Sequence, residues 1–192
     1  MAKKYEFKPD KPRSGFFDKL VLTQKQRRSV LKWTLYALVL LVLSVLQDVL
    51  LSRLRLWGGT TELVPCGIFL ICVLEGMERG SVFSLVASLV YLFSGSSPGP
   101  ACIGLITSLT VGINLLRQTL WRRSFGSIML CSCASVMLYE MGVFVVGLIS
   151  GLTILSRAGV FALTGIFSCI TILPMYPLVQ TLSKIGGDTW KE

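Results

Sequence analysis

Long apolar stretches constrain this chain more than any other feature of its sequence. Residues 33–183 consist almost entirely of apolar segments separated by short turns. Charged residues make up only 15% of the chain, whereas soluble domains contain about 25%. So few charges cannot cover the surface of a water-soluble monomer with 192 residues. The sequence therefore excludes an ordinary soluble enzyme and predicts an all-α, polytopic membrane helix bundle.

The apolar part divides into six segments, which predict about six transmembrane helices. A helix needs about 20 residues to cross a hydrocarbon core of roughly 30 Å. The segments are 33–52, 62–76, 80–94, 101–116, one within 125–155, and 157–183. The second and third are short, so a re-entrant hairpin is the alternative to two crossings. Pro174 and Pro177 lack a backbone donor and predict a kink or an early end of the sixth helix.

The basic residues predict that both termini are cytoplasmic. Ten of the nineteen Lys and Arg residues precede residue 33, and six more fall in loops on the same predicted side. Such an excess marks the cytoplasmic side of a membrane protein. Residues 1–32 form a basic head, either an interfacial helix or a disordered tail, 33–183 the membrane domain, and 184–192 a short tail. A basic head beside an apolar segment favours contact with membrane lipids over nucleic acid.

The sequence offers no recognisable catalytic or metal-binding constellation. It contains no histidine, and none of its six cysteines belongs to a Cys-x-x-Cys pair. Zinc sites and thiol–histidine nucleophiles need those groupings. We expect the cysteines to be small buried side chains. The chain is therefore predicted to be a non-enzyme without a cofactor.

Glu140 is the most conspicuous ionisable residue, because it lies in the middle of the fifth apolar segment. A carboxylate at the bilayer centre costs on the order of 3 kcal/mol. We expect Glu140 to hydrogen-bond Asn114, Ser108 or Tyr91, or to contact a partner protein. A proton relay is disfavoured, because we expect no second acid or histidine within the membrane.

The remaining acids near the predicted membrane boundaries have simpler interpretations. Asp48 lies near the outer end of the first apolar segment, with Arg53 and Arg55 just beyond that segment. We expect Asp48 to be an interfacial acid balanced by an arginine, with a partner contact as the alternative. Glu75 and Glu78 fall in a predicted turn, where we expect water to solvate their carboxylates.

Small residues recur at four-residue spacing, which places them on one face of a helix. Such stripes allow close approach of helix backbones in membranes. They comprise Ser84 and Ser88 in the third segment, Gly104, Ser108 and Gly112 in the fourth, and Gly147 and Gly151 in the fifth. We expect these faces to pack within the bundle, and docking of a foreign transmembrane helix is the alternative.

The order of these features resembles the rod shape-determining protein MreD family. A basic head leads to a helix that ends in Gln-Asp-Val-Leu-Leu at 47–51, and a proline-led apolar segment starts at Pro65. A charged turn with glycine follows at 78–80, and Ser-Gly-Ser-Ser-Pro-Gly closes the third segment at 94–99. Two positions depart from the family: Cys66 and Tyr91 stand where acids are usual.

The resemblance implies a non-enzymatic protein of the bacterial plasma (inner) membrane. Its partners would be an MreC-like single-span protein, MreB, RodA and penicillin-binding protein 2, within the cell-elongation machinery. Because the two family acids are replaced, Asp48 and Glu140 are candidate substitutes for a partner contact. The alternative function is the substrate-binding component of an energy-coupling-factor vitamin transporter. The first segment argues against it, because Ala37 and Ser44 are its only small residues before the terminal Ser52.

Overall fold

The computed structural model of the protein describes residues 24–51, 59–95, 97–120 and 124–185. These residues form an all-helical fold without a β-strand, which confirms the all-α part of the predicted fold class. Six α-helices follow one another along the chain: α1 Gln24–Leu46, α2 Leu63–Glu75, α3 Met77–Phe93, α4 Ala101–Leu120, α5 Phe125–Ile149 and α6 Ala158–Ile185. A π-helical turn, Gln47–Leu51, extends α1, and a short 3-10 turn, Leu155–Arg157, precedes α6.

Three of the described helical stretches are long and apolar enough to cross a membrane. They are Arg27–Val49, Phe125–Ile149 and Leu155–Lys184. Leu63–Glu75 and Ala101–Arg117 are shorter apolar helices. The apolar outer surface of the bundle fits this, because leucine, valine and isoleucine side chains are exposed along α1, α3, α5 and α6. The protein is therefore a helical membrane protein.

Helix α2 is the centre of the bundle. All thirteen of its residues are buried, and it contacts every other α-helix. Its sequence explains this position, because apolar residues surround the helix on all sides and leave no polar stripe for an aqueous surface. Phe69 and Ile71 are 1% and 0% exposed. The shortest apolar helix is thus the one that the other five enclose.

Glycines bring the helices together at positions that the four-residue stripes did not indicate. A methyl group on Gly67 of α2 would lie 2.8 Å from the side chain of Leu43 in α1. A methyl group on Gly165 of α6 would lie 2.7 Å from the sulfur of Met137 in α5. Each glycine is therefore a place where a neighbouring side chain fills the space of the absent Cβ.

The helix ends differ from the sequence predictions in two places. Helix α1 begins at Gln24, so part of the predicted head belongs to the first long helix. Helix α6 continues through Pro174 and Pro177 to Ile185, which excludes the early end and leaves the kink as the remaining prediction. Both prolines lie on the exposed side of the helix. The rest of the predicted head, with its interfacial helix, and the tail from residue 186 lie outside the described residues.

Candidate functional site

Side chains from two other parts of the fold hold the N-terminal end of α2. The side-chain oxygen of Gln47 accepts a hydrogen bond from the Val64 backbone N–H at 3.0 Å. The Ser168 hydroxyl oxygen of α6 accepts one from the Glu62 N–H, also at 3.0 Å. The first N–H groups of a helix have no partner within the helix, and buried ones need partners elsewhere. These contacts fix the start of α2 between α1 and α6.

Two acids converge on the same turn of α6. The Tyr91 hydroxyl donates to a carboxylate oxygen of Glu62 at 3.3 Å. Glu140 is 1% exposed and packs against Gly165, three residues before the Ser168 that holds the Glu62 backbone. Through Gly165 and Ser168, the Glu140 side chain and the Glu62 backbone therefore both contact one turn of α6. The sequence did not indicate that a second acid approaches this turn.

Glu140 does not make the hydrogen bonds expected of it. Asn114 and Tyr91 donate to other groups, and Ser108 lies on the outer surface. The Oε1 atom of Glu140 and the hydroxyl of the adjacent Tyr139 are buried without a hydrogen-bond partner in the part of the chain that the structure describes. The Glu140 carboxylate thus stands in an apolar interior with a second acid nearby.

Replacing Glu140 with glutamine is expected to leave the protein as stable as before, or more stable. The amide keeps the volume of the carboxyl group and removes the cost of holding a carboxylate with an unpartnered, buried oxygen in an apolar interior. A gain of about 1 kcal/mol would raise the melting temperature by roughly 2–4 °C for a chain of this length. Thermal unfolding in detergent, followed by circular dichroism, measures the shift. Glu78→Gln on the exposed turn is the control, and a marked drop for Glu140→Gln would contradict this assignment.

A buried ion pair lies at the other end of α2. The Lys32 ammonium of α1 and the Glu75 carboxylate are 2.5 Å apart, and their side chains are 4% and 1% exposed. The Tyr36 hydroxyl donates to the same Glu75 oxygen at 2.7 Å. The prediction that Glu75 is solvated is wrong, because Glu75 is buried and its carboxylate contacts Lys32 and Tyr36. Glu78 is exposed, as expected. Lys32 was counted as part of the head and instead lies in the core.

Helix α4 contributes the remaining polar contacts at this end. The Arg117 guanidinium donates to the carbonyl of Val73, and the Asn114 amide donates to the carbonyl of Cys72 at 3.5 Å. The last carbonyls of a helix lack partners within it and carry partial negative charge. A buried guanidinium at this position is therefore stabilised, and it ties α4 to the end of α2.

The connection between α2 and α3 is a tight turn built on two glycines. Gly76 adopts a φ of 87°, which favours glycine, and its N–H donates to the Cys72 carbonyl at 3.1 Å. A methyl group on Gly80 would lie 2.7 Å from that carbonyl oxygen, and the Cys72 thiol donates to the Gly80 carbonyl at 3.1 Å. The two helices therefore touch backbone to backbone where α3 begins.

The small residues of α4 face away from the chain. Gly104, Ser108 and Gly112 are all exposed, and a methyl group added to either glycine would meet no described atom within 4 Å. The expectation that this stripe packs within the bundle is therefore wrong. In contrast, Ser84 and Ser88 of α3 are fully buried, as packing within the bundle requires.

The other candidate residues are dispersed. Helix α5 ends at Ile149, and Gly151 lies in the following turn with a φ of 68°, so Gly147 and Gly151 share no helix face. Asp48 is exposed in the π-helical turn after α1. Its predicted arginine partners at 53 and 55 lie outside the described residues. The structure therefore does not bring Asp48 together with Glu140 or with the α4 stripe at one site.

Sequence reasoning missed three charged residues that the fold buries wholly or in part. Lys32 stands four residues before Tyr36, so both occupy one face of α1, and this spacing could have marked a buried polar pair. Glu62 gave no such signal, because its nearness to Glu140 depends on how α2 and α5 meet α6. The functional candidates that the structure adds are thus Lys32, Glu75 and Glu62.

The polar groups mostly serve the architecture. Among the described residues, no three of His, Cys, Asp and Glu are grouped so that they could hold a metal ion. The cysteines are free: Cys66, Cys72, Cys102 and Cys131 are buried, and Cys133 and Cys169 are half-buried.

No family model, curated protein or solved structure matches the chain. The resemblance to MreD therefore stays a prediction.

Proposed function

We propose that the protein is a non-enzymatic membrane scaffold of the bacterial cell-elongation machinery, resembling MreD, which binds partner proteins through lateral helix–helix contacts. The observation that carries the proposal is the exposed stripe of Gly104, Ser108 and Gly112 on α4. An MreC-like single-span protein is the expected partner on this face. MreB, RodA and penicillin-binding protein 2 would join the same assembly.

The physical argument concerns close approach of two helices in lipid. Lipid tails are as apolar as leucine, so helices associate in membranes mainly through tight packing and interhelical hydrogen bonds. Glycine and serine at four-residue spacing give a flat face that allows such packing. Within the chain, no described residue covers the two glycines of this face. The stripe is therefore free to receive a helix of another protein.

The proposed topology has six crossings, with both termini in the cytoplasm of a bacterial cell. The clustering of charge at one end of the bundle supports it. Three basic residues lie at this end: Lys32, Arg79 and Arg117. Lys32 and Arg117 both contact the end of α2, and Arg79 follows in the turn to which that end leads. Basic residues gather on the cytoplasmic side of membrane proteins. Cysteine-accessibility mapping tests the topology, and termini on opposite sides would contradict it.

The vitamin-transporter alternative requires a cavity that encloses a ligand. A cavity of about 200 Å³ opens between α4, α5 and the start of α6, with Arg157 and Cys102 in its lining. Small-molecule sites usually measure about 300–1,000 Å³. This cavity is small for such a ligand, and the larger groove of about 520 Å³ between α1 and α3 is apolar and lacks the charged groups that would orient a polar vitamin. Both features favour the scaffold over the transporter component. Saturable nanomolar binding of a vitamin by the purified protein would reverse this preference.

Replacing Gly104 and Gly112 with leucine is expected to abolish partner binding without unfolding the protein. The added side chains enter open space in the chain itself and separate the two helix backbones in the complex. Overpacking costs about 1–3 kcal/mol per site, so partner retention should fall at least about tenfold. Co-purification of an MreC-like protein from the same cell, in detergent, measures the effect.

The matched control is Gly159→Leu near the start of α6, where an added methyl group likewise meets no described atom. This variant should retain the partner. Equal melting temperatures for the three forms exclude unfolding as the cause. Undiminished partner retention by the double α4 variant would contradict the proposed docking face.

A further inference from the structure

Sulfur-bearing side chains from α5 and α6 meet where the two helices pack side by side. The Cys169 thiol of α6 donates to the carbonyl oxygen of Cys133 in α5 at 3.6 Å. One turn further along α5, the sulfur of Met137 lies against Gly165, which is one turn earlier on α6. The pairing runs in opposite directions along the two helices, so the helices are antiparallel. Cys133, Met137 and Cys169 therefore lie within one turn of each other along this contact.

The directions of the side chains bring the three sulfur atoms closer still. A helical side chain leans toward the N-terminus of its own helix. In this antiparallel pair, the Met137 side chain therefore leans toward the level of Cys169, and the Cys169 side chain leans toward the level of Met137. All three residues are half-buried and line one groove of about 640 Å³ between α5 and α6. We call Cys133, Met137 and Cys169 the sulfur cluster.

The groove offers a metal ion sulfur ligands and no others from its side chains. The rest of its lining is glycine, leucine, isoleucine and a further methionine: Gly126, Met129, Leu130, Ile166, Ile170 and Leu173. Thiolate and thioether sulfur are soft ligands that favour Cu(I). Mg²⁺ and Ca²⁺ need oxygen ligands. A structural Zn²⁺ site takes four ligands from cysteine, histidine or carboxylates, and this groove supplies only two of them.

The charge of the complex also favours a monovalent ion. When Cu(I) binds, one of the two thiols loses its proton to water and a copper–thiolate bond forms, so the complex is neutral. The other thiol and the Met137 thioether add no charge. Burying an uncompensated charge in an apolar environment is costly. A divalent ion on the same single thiolate would keep a positive charge within the membrane.

The groove also provides a path from one end of the bundle to the sulfur cluster. Gly126, at the start of α5, lines the groove, and a methyl group added to it would meet no described atom within 4 Å. Cys133 lies seven residues further on, a rise of about 10 Å. In the proposed topology this end faces the cytoplasm, where thiols are kept reduced. A metal ion that enters there meets reduced cysteines.

We propose that Cys133, Met137 and Cys169 bind a single Cu(I) ion through their three sulfur atoms. The two cysteines alone fall short of a usual metal site, and the methionine sulfur supplies the third ligand. The sequence did not indicate the site, because Cys169 is 36 positions from Cys133 and comes from the neighbouring helix. The sulfur cluster is separate from the α4 stripe and does not depend on the scaffold function.

Anaerobic titration of the full chain in detergent with Cu(I), in competition with the chelator bicinchoninate, tests the proposal. We expect a single Cu(I) per protein to be retained against the chelator, whereas Zn²⁺ added to the same protein is not retained. X-ray absorption at the copper edge should show only sulfur atoms as nearest neighbours. Loss of all Cu(I) to the chelator, equal retention of Zn²⁺, or oxygen or nitrogen neighbours would each overturn the proposal. The unmodified protein decides all three outcomes, so misfolding of a variant does not leave the matter open.

Single substitutions test the assignment of the ligands. Loss of a group that only orients a metal ligand costs about 10–100-fold in affinity, so Cys133→Ala and Cys169→Ala should each cost at least about a hundredfold. Met137→Leu keeps most of the volume and removes the sulfur, so it should cost about tenfold or more. The matched controls are Cys131→Ala, at a buried position two residues before Cys133, and Met141→Leu, one turn after Met137. Both should retain Cu(I), and an affinity unchanged by loss of Cys133 and Cys169 would overturn the assignment.

Discussion

Replacing Lys32 with alanine is expected to destabilise the protein more than any other single change considered for it. The substitution leaves the Glu75 carboxylate, 1% exposed, as a buried charge without its cation at the end of α2. Breaking a buried ion pair in this way costs about 3–5 kcal/mol. For a chain of this length, the melting temperature should fall by roughly 6–20 °C. Thermal unfolding in detergent, followed by circular dichroism, measures the change.

The control for this prediction is Arg28→Ala, one turn earlier on the same helix, where the side chain is exposed. It should leave the melting temperature nearly unchanged. The double variant Lys32→Met with Glu75→Gln removes both charges and keeps most of the volume. It should recover most of the lost stability, because the cost in the single variant comes from the unpaired carboxylate. Equal losses in the single and double variants would show that packing, and not charge, holds this end of α2.

Replacing Gly80 with valine has the second largest expected effect. The new Cβ would lie 2.7 Å from the Cys72 carbonyl oxygen and 3.1 Å from the Cys72 Cα atom. Both are backbone atoms, so no side-chain rotation relieves the contact. Overpacking usually costs about 1–3 kcal/mol, and a backbone contact belongs at the upper end. The melting temperature should fall by roughly 6–12 °C, measured as for Lys32→Ala.

Gly104→Val is the matched control for Gly80, because it makes the same change within another helix, at a position with open space. Both variants carry the same small gain in helix propensity, because valine is a better helix former than glycine. The difference between their melting temperatures therefore reports the contact of α3 with α2 alone. If the two variants melted at the same temperature, the close approach of Gly80 to Cys72 would not be a feature of the folded protein in solution.

The sequence predicted the positions of the helices well because each helix is apolar over most of its length and bounded by polar turns. The second and third segments, 62–76 and 80–94, correspond to α2 and α3 within a few residues. Hydrophobic periodicity and turn residues suffice for such assignments. The start of α1 was placed too late, because the charges at Lys25, Arg27 and Arg28 hid a helix that continues beyond its apolar part.

The candidate site was harder to predict, because burial depends on which helices are neighbours. The sequence places Glu75 in a turn with other charges, which predicted that water solvates it. In the structure it forms a buried ion pair with Lys32, 43 positions earlier in the chain. The glycines of α4 looked like packing residues, yet they face outward. Spacing alone places residues on a common helix face. It does not say whether that face meets another helix of the chain or the surrounding lipid.

The sequence by itself determined that the protein lies in a membrane and that its fold is helical. Low charge and long apolar segments can be accommodated only by helices in a membrane. Only the tertiary structure decided that the short α2 lies at the centre, that Lys32 pairs with Glu75, and that the small residues of α4 face outward. The physical reason is that local sequence sets the hydrogen bonds and polarity of each helix. Which charges pair and which surfaces stay uncovered depends on contacts between residues far apart in the chain.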